Sequence, residues 1–169
     1  MVCCVTGHRP AGFPFSRDEN DLTYMNYCNT LYDTVKDLVF DGYDLFITGM
    51  ADGADIDFAY AVLFLRDEDW PIKLEAALPY PYSPRKKVTP YIENLESVLI
   101  NCNFKTIVSS SYFKGCMQKR NRYMVDKADL VLAIWNGEKR GGTWNTIDYA
   151  ISKNKPIRYI MLKDILPLI

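Results

Sequence analysis

The 169-residue sequence has few of the residues that metal sites and disulfide frameworks require. His8 is the only histidine, which excludes a metal site built from several histidines. The five cysteines are odd in number and no two have CxxC spacing, which argues against a disulfide framework and a zinc site. We therefore expect no bound metal, no cofactor and a reducing compartment. An N-terminus that shows no signal peptide makes that compartment the cytoplasm.

The sequence also lacks an excess of positive charge and a long apolar run. Its formal net charge is −1, so nothing draws the chain non-specifically to a nucleic-acid backbone, and we expect no nucleic-acid partner. No apolar stretch approaches the length that crosses a bilayer, so we expect no membrane association. The composition, with 49% hydrophobic and 24% charged residues, is typical of a globular protein. The length predicts a single domain over residues 1–169.

Short apolar strands alternate with stretches of helical periodicity along the whole chain. Strands are predicted near residues 2–5, 44–47, 72–78, 105–109, 129–135 and 156–161. Ser16 and Glu19 have the spacing of a capping box, which predicts the start of the first helix, and Thr89 with Pro90 predicts another helix start. The alternation predicts an α/β fold with a mostly parallel sheet of about six strands, covered by helices on both faces.

Three strand-to-helix connections carry similar chemistry. They follow the first, second and fifth strands, and their candidate ligand-binding and catalytic residues are polar or small: Thr6, Gly7, His8 and Arg9, then Thr48, Gly49, Asp52, Gly53, Ala54 and Asp55, then Gly141, Gly142 and Thr143. Glycine lets backbone approach a ligand, arginine binds phosphate, and a helix start attracts anions. Because the carboxyl ends of parallel strands share one edge, the three loops together predict a nucleotide-like site.

Each of these loops alone is also compatible with an ordinary turn before a helix. In that interpretation Asp52 is the N-cap of the second helix, and Thr143 caps the helix after the fifth strand. The loops match neither the GxGxxG dinucleotide fingerprint nor the GxxxxGK[ST] phosphate loop.

Four segments in order resemble the SLOG superfamily, and within it the uncharacterised YpsA-like branch: VTGHRP at 5–10, ITGMADGAD at 47–55, KRNRYMVD at 119–126 and GGT at 141–143. The resemblance implies a three-layer, Rossmann-like, doubly wound fold with strand order near 4-3-2-1-5-6. It also implies binding of a nucleoside phosphate, a cyclic nucleotide or an ADP-ribose type of molecule, by a sensing or sequestering module. In the related lonely-guy enzymes the helix that corresponds to the one carrying Arg120 and Asn121 lies near the ligand. A homodimer is compatible with the resemblance.

Hydrolysis of an N-glycosidic bond is the alternative function. Lonely-guy enzymes are phosphoribohydrolases that use an arginine and the glutamate of a PGGxGTxxE motif. This sequence has Asp148 at the glutamate position in an ungapped match, and Thr146 there if the Gly-Thr pair is matched instead. The candidate catalytic carboxylates are therefore Asp52, Asp55 and Asp148. A third reading, DNA binding as in the related DNA-processing proteins, conflicts with the net charge.

Overall fold

A computed structural model describes residues 1–83 and 88–168. Its six strands are β1 (Val2–Gly7), β2 (Leu45–Thr48), β3 (Lys73–Leu78), β4 (Phe104–Ile107), β5 (Leu130–Trp135) and β6 (Ile157–Met161). Its α-helices are α1 (Leu22–Phe40), α2 (Ala54–Asp67), α3 (Pro90–Asn101), α4 (Cys116–Lys127) and α5 (Gly141–Ser152), with 3-10 turns at Pro10–Gly12 and Leu162–Asp164. For residues 85–88, just before α3, the sequence is compatible with a loop or a short extra turn; this segment lies outside the described residues except for Val88.

The strands form one parallel sheet in the order β4-β3-β2-β1-β5-β6. The predicted fold class and strand order are therefore confirmed. The order reverses between β1 and β5, which pair directly from Cys3 and Leu130 to Gly7 and Ile134. In such sheets ligands bind beyond the carboxyl ends of the strands near the reversal, so the loops after β1, β2 and β5 lie at the edge where a site is expected.

Two apolar cores cover the two faces of the sheet. Alternate strand residues point to opposite faces, and Cys3 and Cys4 accordingly belong to different cores. The larger core lies under α1, α2 and α3, and the smaller one lies under α4 and α5. The strands are thus buried on both faces, which is why they read in the sequence as continuous apolar runs rather than alternating ones.

The helix starts follow their local capping chemistry. The carboxylate of Asp21 accepts hydrogen bonds from the N–H groups of Thr23 and Tyr24, so α1 begins at Leu22. The capping box predicted at residues 16–19 is wrong, because the Ser16 hydroxyl instead accepts a bond from the Asp18 N–H within a loop. The predicted start of α3 is confirmed, with the Thr89 hydroxyl accepting from the Ile92 N–H at 3.3 Å.

Across the described ranges, no helix combines the length and the apolar content needed to cross a membrane.

Candidate functional site

The loop between β2 and α2 folds back onto the start of its own helix. The Asp55 carboxylate accepts a hydrogen bond from the Ala51 N–H at 3.2 Å, and the Thr48 hydroxyl donates to the Asp55 carbonyl at 2.7 Å. The N-cap position of α2 is occupied by Gly53, and no side chain caps this helix. The interpretation of Asp52 as N-cap is therefore wrong, and its carboxylate has no hydrogen-bond partner among the described residues.

The loop after β1 packs directly against this turn. The Ala54 N–H donates to the His8 carbonyl at 3.0 Å. Gly53 has φ 97°, and a Cβ built on it would lie 2.5 Å from that same carbonyl, so only glycine allows this approach. Gly7 is part of the same contact, since a Cβ on it would lie 2.3 Å from the Ala54 Cβ, and the preceding Thr6 is buried. Two of the three predicted loops are thus in contact.

Arg120 enters this region from α4 and is 5% exposed. Its Nε donates to the Asn121 side chain at 2.7 Å and its Nη1 donates to the Ala77 carbonyl at 3.4 Å. Within the described part of the chain, Nη2 has no hydrogen-bond partner. Gly49 lies against the guanidinium, because a Cβ there would be 2.6 Å from Nη1 and 2.7 Å from Asp55 Oδ2.

Asp55 is the negative charge nearest to this buried cation. Burial raises the pKa of Asp55, and attraction to Arg120 opposes that rise. Burial likewise lowers the pKa of Arg120, and Asp55 opposes that change. Arginine stays protonated at ordinary pH. The Asp55 carboxylate already accepts a hydrogen bond from the Ala51 N–H. The region therefore contains a desolvated positive charge that a bound anion would stabilise.

A cavity of about 380 Å³ opens in front of Arg120, beyond the carboxyl ends of β2 and β3. Arg9, Arg120 and residues 49–52 form its polar wall. Tyr80, Tyr82 and Tyr91 form an aromatic wall. The Tyr91 hydroxyl donates to the Met50 carbonyl at 2.8 Å and so supports Met50, a non-glycine residue with φ 61°. Strained backbone of this kind occurs often at ligand sites.

The three tyrosines are residues that the sequence analysis missed. Tyr80 and Tyr82 carry a usable signal, since a Pro-Tyr-Pro-Tyr run follows directly on the carboxyl end of β3. Tyr91 carries no such signal, because its position in the sequence is that of an ordinary residue in the first turn of α3.

The turn after β5 is built differently. Helix α5 begins at Gly141 after Arg140, without a side-chain cap, and Thr143 is buried within the first turn instead of capping it. The expected cap role of Thr143 is therefore wrong. Apart from its chain neighbours and the backbone of its own helix, no described residue lies within 4 Å of a Cβ built on Gly141 or Gly142, and the Gly-Gly-Thr turn does not line the 380 Å³ cavity.

Asn121 connects this turn to Arg120. Its amide donates to the Thr146 hydroxyl at 3.0 Å, and that hydroxyl donates to the Gly142 carbonyl at 2.9 Å. Asn121 and Asp148 also line a separate polar pocket of about 260 Å³ between α4 and α5. The structure thus brings Arg9, Gly49, Asp52 and Arg120 together around one cavity and places Asp148 outside it.

His8 lies between the two regions. Its side chain packs on Gly12, and burial lowers its pKa, an effect that the nearby Asn136 and Glu138 partly offset. Asn136 follows β5 and donates to the Gly12 carbonyl at 3.4 Å. The loops after β1 and β5 therefore meet through Gly12, His8 and Asn136 rather than through the glycine pair.

Comparison with known proteins agrees with this architecture. The model of the YspA SLOG family matches residues 3–165. The UPF0398 protein of Bacillus pumilus (strain SAFR-032) is 26% identical over 168 residues, which cover 97% of this chain and 89% of the relative. The UPF0398 protein YpsA of Bacillus subtilis (strain 168) is 20% identical over 171 residues, covering 97% and 94%.

Proposed function

We propose that this chain, which belongs to the YspA SLOG family, binds a nucleotide or nucleotide-derived small molecule in the cavity beside Arg120 and acts as a sensing or sequestering module. The observation that carries the proposal is the pairing of a buried, incompletely neutralised arginine with an aromatic wall in one cavity. The arginine matches the phosphate of a nucleotide, and the aromatic wall matches its base.

The polar wall suits the phosphate. Arg9 is exposed and its guanidinium has no hydrogen-bond partner among residues 1–83 and 88–168, and Nη2 of Arg120 is likewise free there. The two guanidinium groups can together hold a phosphate through charge-assisted hydrogen bonds. The aromatic wall suits the base, since stacking on an aromatic ring contributes about 1–3 kcal/mol per base. A volume of about 380 Å³ is within the range of small-molecule sites.

Binding without catalysis is favoured by where the candidate carboxylates lie. Asp148 lies in the pocket between α4 and α5, and Asp55 lies behind Gly49, bonded to Ala51. Neither lines the cavity, so neither is placed to reach a glycosidic bond in a ligand held there.

One observation supports hydrolysis as a second candidate. Asp52 lines the cavity and its carboxylate is unbonded within the described ranges, so it is the acid that could stabilise an oxocarbenium-like transition state. Release of free base from nucleoside monophosphates, followed by chromatography and abolished in Asp52→Asn, would support this candidate. Turnover equal to that of buffer would contradict it.

Calorimetry with a panel of nucleotides and their parent nucleosides tests the binding proposal. At least one of AMP, GMP, cyclic AMP and ADP-ribose should bind, and removal of its phosphate should weaken binding by about tenfold or more, because each charge-assisted hydrogen bond contributes roughly 1.5–3 kcal/mol. If no member of the panel binds at millimolar concentration, the proposal fails. Equal binding of nucleoside and nucleotide would remove the assigned role of the arginines.

A further inference from the structure

A second, larger groove adjoins the cavity. It has a volume of about 1,100 Å³ and runs between α1, α2 and the start of α3. Asp52 and Tyr91 line both the cavity and the groove. The two spaces therefore meet at these two side chains, and a ligand longer than a mononucleotide has a path from one to the other.

The groove near this junction offers uncharged polar groups. The Asn94 side-chain carbonyl accepts a hydrogen bond from the Tyr60 hydroxyl at 3.0 Å, which leaves the Asn94 amide N–H groups free within the described residues. Thr89 lines the groove next to them. Amide and hydroxyl groups beside a carboxylate suit the hydroxyls of a sugar, and an acidic residue holds ribose hydroxyls in this way in dinucleotide-binding folds.

The groove does not offer a second phosphate site near the junction. Its arginine, Arg17, is 2.6 Å from the Asp57 carboxylate and lies over the rings of Phe13 and Tyr24. Burial by itself lowers the pKa of Arg17, but Asp57 together with Tyr24 and Tyr27 more than offsets this, and the pKa is raised, as expected for a cation that already has its anion. The part of a ligand that enters the groove is therefore neutral and not anionic.

We propose that the cavity and the groove form one two-part site whose ligand is a nucleoside diphosphate joined to a sugar. The phosphates contact Arg9 and Arg120, and the sugar passes between Asp52 and Tyr91 to reach Asn94 and Tyr60. This inference rests on the proposed function, since it needs a phosphate in the cavity. It goes further because it narrows the ligand class and assigns two specificity residues, Tyr60 on α2 and Asn94 on α3, that lie outside the sequence motifs.

The test compares each diphosphate with its sugar conjugate by titration calorimetry: ADP with ADP-ribose, GDP with GDP-mannose and UDP with UDP-glucose. In at least one pair the conjugate should bind about tenfold tighter than the diphosphate, which corresponds to one or two added hydrogen bonds. In Asn94→Ala and Tyr60→Phe that gain should fall below about threefold while the diphosphate binds as before. Asn101→Ala, on the same helix, is the matched control and should keep the gain, since its amide bonds the Ser97 carbonyl.

The outcomes separate the two proposals. If a diphosphate binds but no sugar improves binding, or if the improvement survives in both Asn94→Ala and Tyr60→Phe, the two-part site is wrong and the nucleotide cavity stands. If no diphosphate and no conjugate binds, both proposals fail. A third outcome is dimerisation that depends on protein concentration, buries the groove and abolishes the tighter binding of the sugar conjugate. The groove would then be occupied by a second copy of the chain, and the inference would also be overturned.

Discussion

The loop after β2 and the turn after β5 look alike in sequence and differ in structure. Each joins a buried strand to a helix through glycines, with a threonine close by. Side chains built on Gly49 and Gly53 would collide with Arg120, Asp55 and the His8 carbonyl, whereas side chains on Gly141 and Gly142 would meet no described residue within 4 Å. The ligand-binding role proposed for a glycine motif therefore depends on what the rest of the fold packs against it, and of these two connections the loop after β2 has such neighbours.

The neighbours come from distant parts of the chain. Arg120 belongs to α4 and Tyr91 to α3, and both reach the loop after β2 because the sheet order places β2 and β3 beneath them. The turn after β5 faces mainly α4 through Asn121 and Thr146, a contact made by neutral hydrogen bonds. Of these two connections, the loop after β2 is therefore the one that lies beside the buried charge of Arg120 and the tyrosines of the cavity. Substitutions at matched positions in the two regions can test whether this asymmetry governs both stability and binding.

The largest expected effect is on stability, in Gly53→Ala. The backbone at φ 97° is unfavourable for alanine, and the new Cβ would lie 2.5 Å from a backbone carbonyl that cannot move aside as a side chain could. We expect the free energy of unfolding to fall by about 2–4 kcal/mol, from backbone strain and overpacking together. Urea denaturation followed by circular dichroism measures the change, and a loss below about 0.5 kcal/mol would contradict the described packing of the two loops.

The next effect is on binding, in Arg9→Ala compared with Arg140→Ala. Both arginines are exposed and near a glycine loop, but Arg9 lines the cavity, while the Arg140 side chain is 81% exposed and bonds Glu138. Loss of one phosphate contact should raise the Kd of a bound nucleotide by about 10–100-fold in Arg9→Ala. Arg140→Ala should leave Kd unchanged, and neither variant should alter stability by more than about 0.5 kcal/mol. Equal losses in the two variants would show that both loops contact the phosphate.

The fold was predictable from the sequence because its signals are local. Apolar runs of strand length and helical periodicity between them are properties of neighbouring residues, and they produced the six strands and their parallel order with the help of the family resemblance. The first helix start was mistaken because Ser16 and Asp21 both have capping chemistry, and the sequence does not say which side chain finds the helix N–H groups.

The candidate site was predictable only in part. Arg120 was indicated by the resemblance to the lonely-guy enzymes, and Arg9 and Gly49 stood in recognisable loops. The tyrosine wall and the separation of Asp148 from the cavity depend on how α3, α4 and α5 pack on the sheet. These are contacts between residues far apart in the chain, and no spacing rule in a single sequence encodes them.

A smaller, pH-dependent effect should come from His8, which joins the two regions. Burial lowers its pKa from the ordinary 6.5, so the folded protein holds this proton less tightly than the unfolded chain does. The contribution of His8 to stability is therefore present above pH 6.5 and is lost as the pH falls through that value toward the lower folded pKa. Because it is the only histidine, its titration can be followed by NMR without assignment.

The control for His8 is His8→Asn, which cannot gain this proton. Its stability should change less than that of the unaltered chain between pH 7 and pH 5, where the carboxylates of both proteins behave alike. A histidine resonance that titrates at or above 6.5 would contradict the buried position beside Gly12 and Asn136.

The smallest expected effect is on stability, in Gly142→Ala. This substitution tests the turn after β5, the connection that has fewer close neighbours. Gly142 lies in the first turn of α5, and a Cβ there meets no described atom within 4 Å beyond its chain neighbours and the backbone of its own helix. Alanine should therefore raise the free energy of unfolding by about 0.4–1 kcal/mol, because it restricts the unfolded chain without straining the helix. Nucleotide affinity should stay the same. If Gly142→Ala instead weakens binding severalfold, a ligand must approach this backbone as closely as a side chain would, and the turn after β5 then belongs to the site together with the loop after β2.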